Sequence, residues 1–183
     1  EDADITFRLY KKFIKNLKLE TMVNIYEIFE KPLIKIIAVM KMEGIEVDSK
    51  FLKLLSLKFE KKINNLEKKV FKISKKEFNI ASPKQLGEII YNDLKIAGLK
   101  KTKKGSFATS ASVLEDLAFK GHEFPQLILD WRQVSKLKNT YSDSLPEHIN
   151  PSTKRVHTSF LLAATTTGRL ASSDPNLQNI PIK

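Results

Sequence analysis

Gly168-Arg-Leu-Ala-Ser-Ser-Asp-Pro-Asn-Leu-Gln-Asn-Ile-Pro-Ile-Lys183 is the stretch on which the rest of the chain is read. Gly, Pro, Asn, Ser, Asp and Gln supply nine of its sixteen residues, so it reads as turn and loop, neither helix nor strand. Two cations, Arg169 and Lys183, stand among three amide side chains, Asn176, Gln178 and Asn179. Guanidinium and carboxamide groups are those that reach base edges in a groove and phosphate oxygens on a backbone. The same amides can instead satisfy backbone groups of their own loop, and both roles stay open for Asn176, Gln178 and Asn179.

Working back from this segment, Arg155 to Thr167 alternates and is rich in β-branched and apolar residues, which predicts strands. Asn150-Pro-Ser-Thr153 predicts a turn before them. Everything earlier is helical in pattern. Phe124, Leu127, Ile128, Trp131, Val134, Leu137 and Tyr141 predict a buried face on a helix from about 124 to 145. A short helix begins around 109–112, buries Val113, Leu114 and Leu117 and stops at Gly121. Ser82-Pro-Lys-Gln85 predicts a capped start for a helix ending near Gly98. The longest helix starts at Asp48 or Ser49 and runs to about Lys75. Its apolar positions Leu52, Leu55, Phe59, Ile63, Leu66, Val70 and Ile73 follow a coiled-coil period, and it spans roughly 40 Å. A helix from about Ile28 to Glu43 ends at Gly44, with Pro32 in its first turn. Residues 3–19 carry Ile5, Leu9, Phe13, Ile14 and Leu17 at helical spacing. The fold class expected is mainly α, with a short terminal β portion belonging to an incomplete sheet.

Composition narrows the partner. The 183 residues carry 32 Lys and Arg against 21 Asp and Glu, a net charge of +11, with no Cys. Most of the surplus is Lys, which favours a polyanion, nucleic acid before membrane. The alternative reading of the excess is an AT-rich genome that puts Lys where other proteins use Arg or polar residues. Lack of Cys excludes disulfides and thiolate metal sites and fits a reducing cytosol. No apolar run approaches the ~20 residues of a membrane span. Residues 1–10 read as the middle of a helix, so no signal peptide is expected. A chain that starts without Met and stops inside a loop motif is expected to be an excised piece of a larger protein.

With three more residues, the terminal stretch is Thr165-Thr-Thr-Gly-Arg-Leu-Ala-Ser-Ser-Asp-Pro-Asn-Leu-Gln-Asn-Ile-Pro-Ile-Lys183. It resembles the first polymerase motif of family-A DNA polymerases, the bacterial DNA polymerase I type, which reads close to T-A-T-G-R-L-S-S-x-D-P-N-L-Q-N-I-P-V-R. Glu1-Asp-Ala-Asp4, Lys136-Leu-Lys-Asn-Thr-Tyr141 and Arg155-Val-His-Thr158 also look like that family. The resemblance covers essentially the whole chain. It implies the end of a 3′–5′ exonuclease-like domain in residues 1–20, a helical thumb in 21–150, and the first palm strands with their motif in 151–183. The intact parent would be α+β and a bacterial, cytoplasmic, nucleoid-associated monomer.

The resemblance also implies roles. Arg169 would lie in the minor groove at the primer terminus and sense pairing through acceptors common to all Watson–Crick pairs. Asn176, Gln178 and Asn179 would contact the duplex or scaffold the motif. Lys183 stands where the family usually has Arg, and would bring charge without a planar fork. Arg132, Lys136, Lys138, Asn139 and Thr140 would face the backbone near the primer end, Arg132 and Lys136 being four apart on one helix face. A solvated charged face is the alternative for Lys136 and Lys138. Thr102 and Thr109, with Ser106 and the Lys100–Lys104 turn, would form a thumb tip tracking minor-groove phosphates. There the family often has Ser where this chain has Ala108. Asp2 resembles the last metal-binding carboxylate of the exonuclease. His122, His148 and His157 share no spacing that suggests a metal site, and His157 is expected to be structural.

The two palm carboxylates that hold two Mg²⁺ for synthesis, and the fingers helix for dNTP, would lie outside this chain. No catalytic residue and no cofactor are therefore expected here, and the partner expected is primer–template duplex DNA. The competing reading is a non-catalytic basic helical nucleic-acid-binding or scaffold module.

Overall fold

The computed structural model describes residues 2–96, 107–162 and 164–181. Helices α1 (Asp2–Leu19), α2 (Val23–Ile25) and α3 (Lys31–Glu43) come first, with a π-helical turn, Tyr26–Glu30, joining α2 to α3. The helix expected from Ile28 thus starts five residues sooner. The wide turn precedes Pro32, which has no N–H to give to a tight one. Gly44 ends α3 as expected, at φ +69°, with its N–H on the Met40 carbonyl at 3.0 Å. A Cβ there would stand 2.7 Å from His157 Cε1, so Gly is required twice over.

Next come β1 (Ile45–Glu46) and the 26-residue α4 (Ser49–Ser74). Asp48, not Ser49, is its cap, accepting from the Phe51 N–H at 2.9 Å. After α5 (Pro83–Glu88), a π turn at Ile89–Asp93 ends the helical run earlier than Gly98. Helices α6 (Ala111–Phe119) and α7 (Glu123–Leu137) follow; a third π turn, Lys138–Asp143, leads from α7 into α8 (Ser144–Glu147). Strands β2 (Arg155–Val156), β3 (Ser159–Leu161) and β4 (Ala171–Ser173) complete the chain. The strands expected through Thr167 stop at Leu161. The terminal segment, expected to hold no strand, contributes β4. The mainly helical fold class with short antiparallel strands is what the structure contains.

Two compact units result: Glu1–Val47 with His148–Lys183, and Asp48–Glu147. In the second, Leu66 and Val70 of α4 pack with Leu86, Ile89 and Ile90, Leu114 and Leu117, and Phe124, Leu127, Ile128 and Val134. The expected stripe of α4 is fully covered only at Leu66 and Val70; Phe59, Ile63 and Ile73 join the cluster at its margin. Trp131 is half-buried and donates its indole N–H to Glu67 at 3.0 Å.

In the first unit β1 and β2 pair antiparallel, Ile45 with Val156 and Glu46 with Arg155. Strands β3 and β4 also pair antiparallel, Phe160 facing Ser172. His157 ties this unit together: Nδ1 lies 2.8 Å from the Lys41 carbonyl and Nε2 2.6 Å from Thr153 Oγ1. A carbonyl can only accept, so Nδ1 carries the proton, which gives His157 the structural role expected.

Candidate nucleic-acid interface

The motif segment is framed by hydroxyl groups. Gly168 turns the chain at φ +70°, and its N–H reaches the Thr165 carbonyl at 3.3 Å. Thr165 Oγ1 donates to the Arg169 carbonyl at 3.0 Å. Beyond β4, the buried Thr158 hydroxyl lies 2.9 Å from the Ser173 carbonyl and 2.7 Å from that of Pro175. One hydroxyl proton serves these two acceptors, so the donation is shared or alternates. Ser172 Oγ, also buried, accepts the Leu177 N–H at 3.0 Å.

Within that frame the amides are all exposed. Asn176 Oδ1 accepts the Gln178 N–H at 3.0 Å, and the Gln178 amide donates to the Leu170 carbonyl. Both therefore scaffold the motif. Asn179 is exposed. Arg169 is exposed as well, and among the described residues it makes no ion pair. A framed backbone thus presents one unengaged guanidinium, the group suited to acceptors in a minor groove.

A second set sits at the end of α7 and in the π turn after it. Lys136, Asn139 and Thr140 are exposed, and Lys136 has no ion pair among the described residues. Arg132 is half-buried, with its guanidinium 2.7 Å from the Thr109 carbonyl. Burial lowers its pKa from the ordinary Arg value, yet a guanidinium keeps its charge in proteins. Thr109 is buried, so its carbonyl serves as the anchor for Arg132. Lys138 also has an internal partner, Asp143 Oδ2 at 2.7 Å. Of the residues expected to face a backbone, Lys136, Asn139 and Thr140 are thus the openly presented ones.

Thr102, Lys183, Ser106 and the Lys100–Lys104 turn lie outside the described residues. Asp2 is exposed at the start of α1, and no group of three His, Asp or Glu side chains among the described residues could hold a metal ion. No helix among them is long and apolar enough to cross a membrane.

Residues 49–183 match the family model described as DNA polymerase family A. The chain belongs to this family. It is 49% identical over 183 residues to DNA polymerase I of Rhizobium leguminosarum, covering all of this chain and 18% of that protein. The thermostable DNA polymerase I of Thermus thermophilus is 43% identical, over 99% of this chain and 22% of its own length. Among solved structures, the POL domain of Pol1 from M. smegmatis, in complex with DNA primer-template and dNTP, matches at a TM-score of 0.82. That match has 35% identity and covers 92% of this chain and 30% of the other. The chain spans about a fifth of the length of the curated relatives it matches. Family membership argues against the competing reading of a basic helical scaffold module.

Sequence reasoning about this family-A chain missed Thr158, Ser172, Ser56 and Asp143. A Thr two residues past a strand or a Ser in mid-helix carries no distinctive pattern; only the fold shows which carbonyls and carboxylates they meet.

Proposed function

We propose that this chain is the DNA-gripping portion of a DNA-directed DNA polymerase I, a nucleotidyltransferase of replication and repair. Residues 1–20 end an exonuclease-like domain, 21–150 form the thumb, and 151–183 begin the palm. The packed unit Asp48–Glu147 supports a thumb over that stretch, whereas residues 21–47 cluster with 1–20 and 148–183. Lys136, Asn139 and Thr140 meet phosphates of the primer–template duplex, and Arg132 positions the Thr109 backbone beside them. Arg169 probes the minor groove at the primer terminus, with Asn176, Gln178 and Asn179 shaping its loop. Thr102 and Lys183 extend the grip, Thr109 serves it through the carbonyl that holds Arg132, and Asp2 belongs to the exonuclease-type site of the whole enzyme.

Mg²⁺ held by carboxylates of the whole enzyme supplies the charge stabilisation that nucleotidyl transfer needs. Those carboxylates and the dNTP site are assigned to no residue of this chain. The enzyme works as a monomer in the bacterial cytoplasm; bacterial relatives support the location.

One observation carries the reading: Arg169 stands exposed and, among the described residues, without an ion pair, on a backbone that side-chain hydroxyls and an amide hold in shape. The test is binding of the 183-residue chain to primer–template duplex and to single-stranded DNA across a salt series. Preference for duplex with a steep salt slope is expected. Equal binding to any polyanion would overturn the proposal.

A further inference from the structure

Lys138 and Asp143 carry an inference that rests on the duplex-gripping reading and deepens it. The Asp143 carboxylate is held at both oxygens: Ser56 Oγ of α4 donates to Oδ1 at 2.6 Å, and Lys138 Nζ donates to Oδ2 at 2.7 Å. Ser142 Oγ fixes the Lys138 backbone from behind, donating to its carbonyl at 3.0 Å. Lys138 thus has a specific internal anion, whereas Lys136, two residues earlier, has none among the described residues. A carboxylate oxygen accepting an ammonium proton has the chemistry of a phosphate oxygen in the same position.

The pair is not sealed in. The Lys138 side chain is 21% exposed and that of Asp143 38%. The carboxylate faces an open cleft of about 450 Å³, also lined by Lys50 and Lys53. If Lys138 leaves, Asp143 keeps the Ser56 hydroxyl and stays 38% exposed on a cleft also lined by Lys50 and Lys53, so departure strands no buried charge. Lys138 has a flexible four-carbon stem and lies in sequence between Lys136 and the exposed Asn139 and Thr140.

We propose that Asp143 is a positioning residue that acts as an internal stand-in for a backbone phosphate. It holds Lys138 back in the unbound chain and gives it up to the duplex by exchange of one anion for another. Every DNA-binding event then breaks one partly exposed ion pair, and that cost limits contacts with a lone phosphate more than contacts with a full duplex surface.

The experiment measures affinity and salt slope of the 183-residue chain for primer–template duplex, with Asp143→Asn, Ser56→Ala and Lys138→Ala. Exchange predicts that Asp143→Asn tightens binding about two- to fivefold at unchanged slope, since breaking a partly exposed pair no longer opposes it. Ser56→Ala should shift affinity the same way by less. Lys138→Ala should lower the slope by about 0.9. A merely structural pair predicts the reverse for Asp143→Asn, weaker binding along with a lower melting temperature. That result, or an unchanged slope in Lys138→Ala while the unaltered chain still prefers duplex, overturns the exchange alone. An unaltered chain without duplex preference overturns the exchange together with the reading beneath it.

Discussion

The two compact units keep their shapes by different means. Among the described residues, every buried hydrophobic side chain except Val156 belongs to Asp48–Glu147. That unit is a packed helical body, with the exposed Lys136, Asn139 and Thr140 mounted at the end of a helix whose other face is core. The unit built from Glu1–Val47 and His148–Lys183 has Thr158, Ser172 and His157 bonds in place of a core. It leaves Phe7, Phe13, Ile28, Phe29 and Met42 more than half exposed. The surface bearing Lys136 is mounted on packing, which is stiff. The loop bearing Arg169 is mounted on hydrogen bonds, which are directional. Local stability should therefore be high in Asp48–Glu147 and lower in the unit built from Glu1–Val47 and His148–Lys183.

The sharpest way to break that comparison is one large truncation in each unit. Ile128 is fully buried, and Ile128→Ala should cost about 2–5 kcal/mol through lost burial and an unfilled cavity. Phe13 is 54% exposed, and Phe13→Ala should cost about 0.5 kcal/mol or less. Amide hydrogen exchange, read separately over the two units, tests both. Equal losses would mean that burial does not distinguish them.

A smaller effect is expected from Thr158→Val, which keeps shape but removes the hydroxyl between two carbonyls. Leaving those acceptors without it should cost about 1–3 kcal/mol. Protection should fall for amides between Ser172 and Leu177 and stay unchanged in Asp48–Glu147. Unchanged protection at the motif would show that its backbone does not depend on this hydroxyl.

Much of this was legible before any coordinates. Helix starts were, because Asp48 and Ser82 are capping side chains and Gly44 is a terminator, and each acts on neighbours only a few residues away. The three π turns were not, since a widened turn keeps the apolar spacing that periodicity reads. Strand β4 was hidden because Ala171-Ser-Ser173 has no β propensity of its own; pairing with Ser159–Leu161 makes it a strand. The interface divided in the same way. Arg169 and Lys136 were readable as exposed cations in a motif. That Lys138 and Arg132 have internal partners depended on Asp143 and the Thr109 carbonyl, and sequence spacing does not report such contacts.

Function sharpens the comparison further. In the whole polymerase, Arg169→Ala should lower primer extension about 10- to 100-fold, the scale of one specific groove contact, while duplex affinity changes by about threefold or less. Steady-state extension and equilibrium binding on the same primer–template separate the two. Equal losses would make Arg169 an anchor like the lysines, and the division between a gripping unit and a sensing loop would disappear.

The smallest effect is the most specific. Lys136 is exposed, lies on the packed unit and has no ion pair among the described residues, so a phosphate is the partner it is free to take. Lys136→Ala should flatten the dependence of log K on log salt by about 0.9, the release of one counterion. The loss should be uniform across primer–template sequences, since phosphate contacts carry no base information. Thermal stability should stay within about 0.5 kcal/mol, because the side chain covers no core. An unchanged slope would remove Lys136 from the grip. A slope that changed on only some sequences would move it from the backbone to the bases, and the packed unit would then read as well as hold.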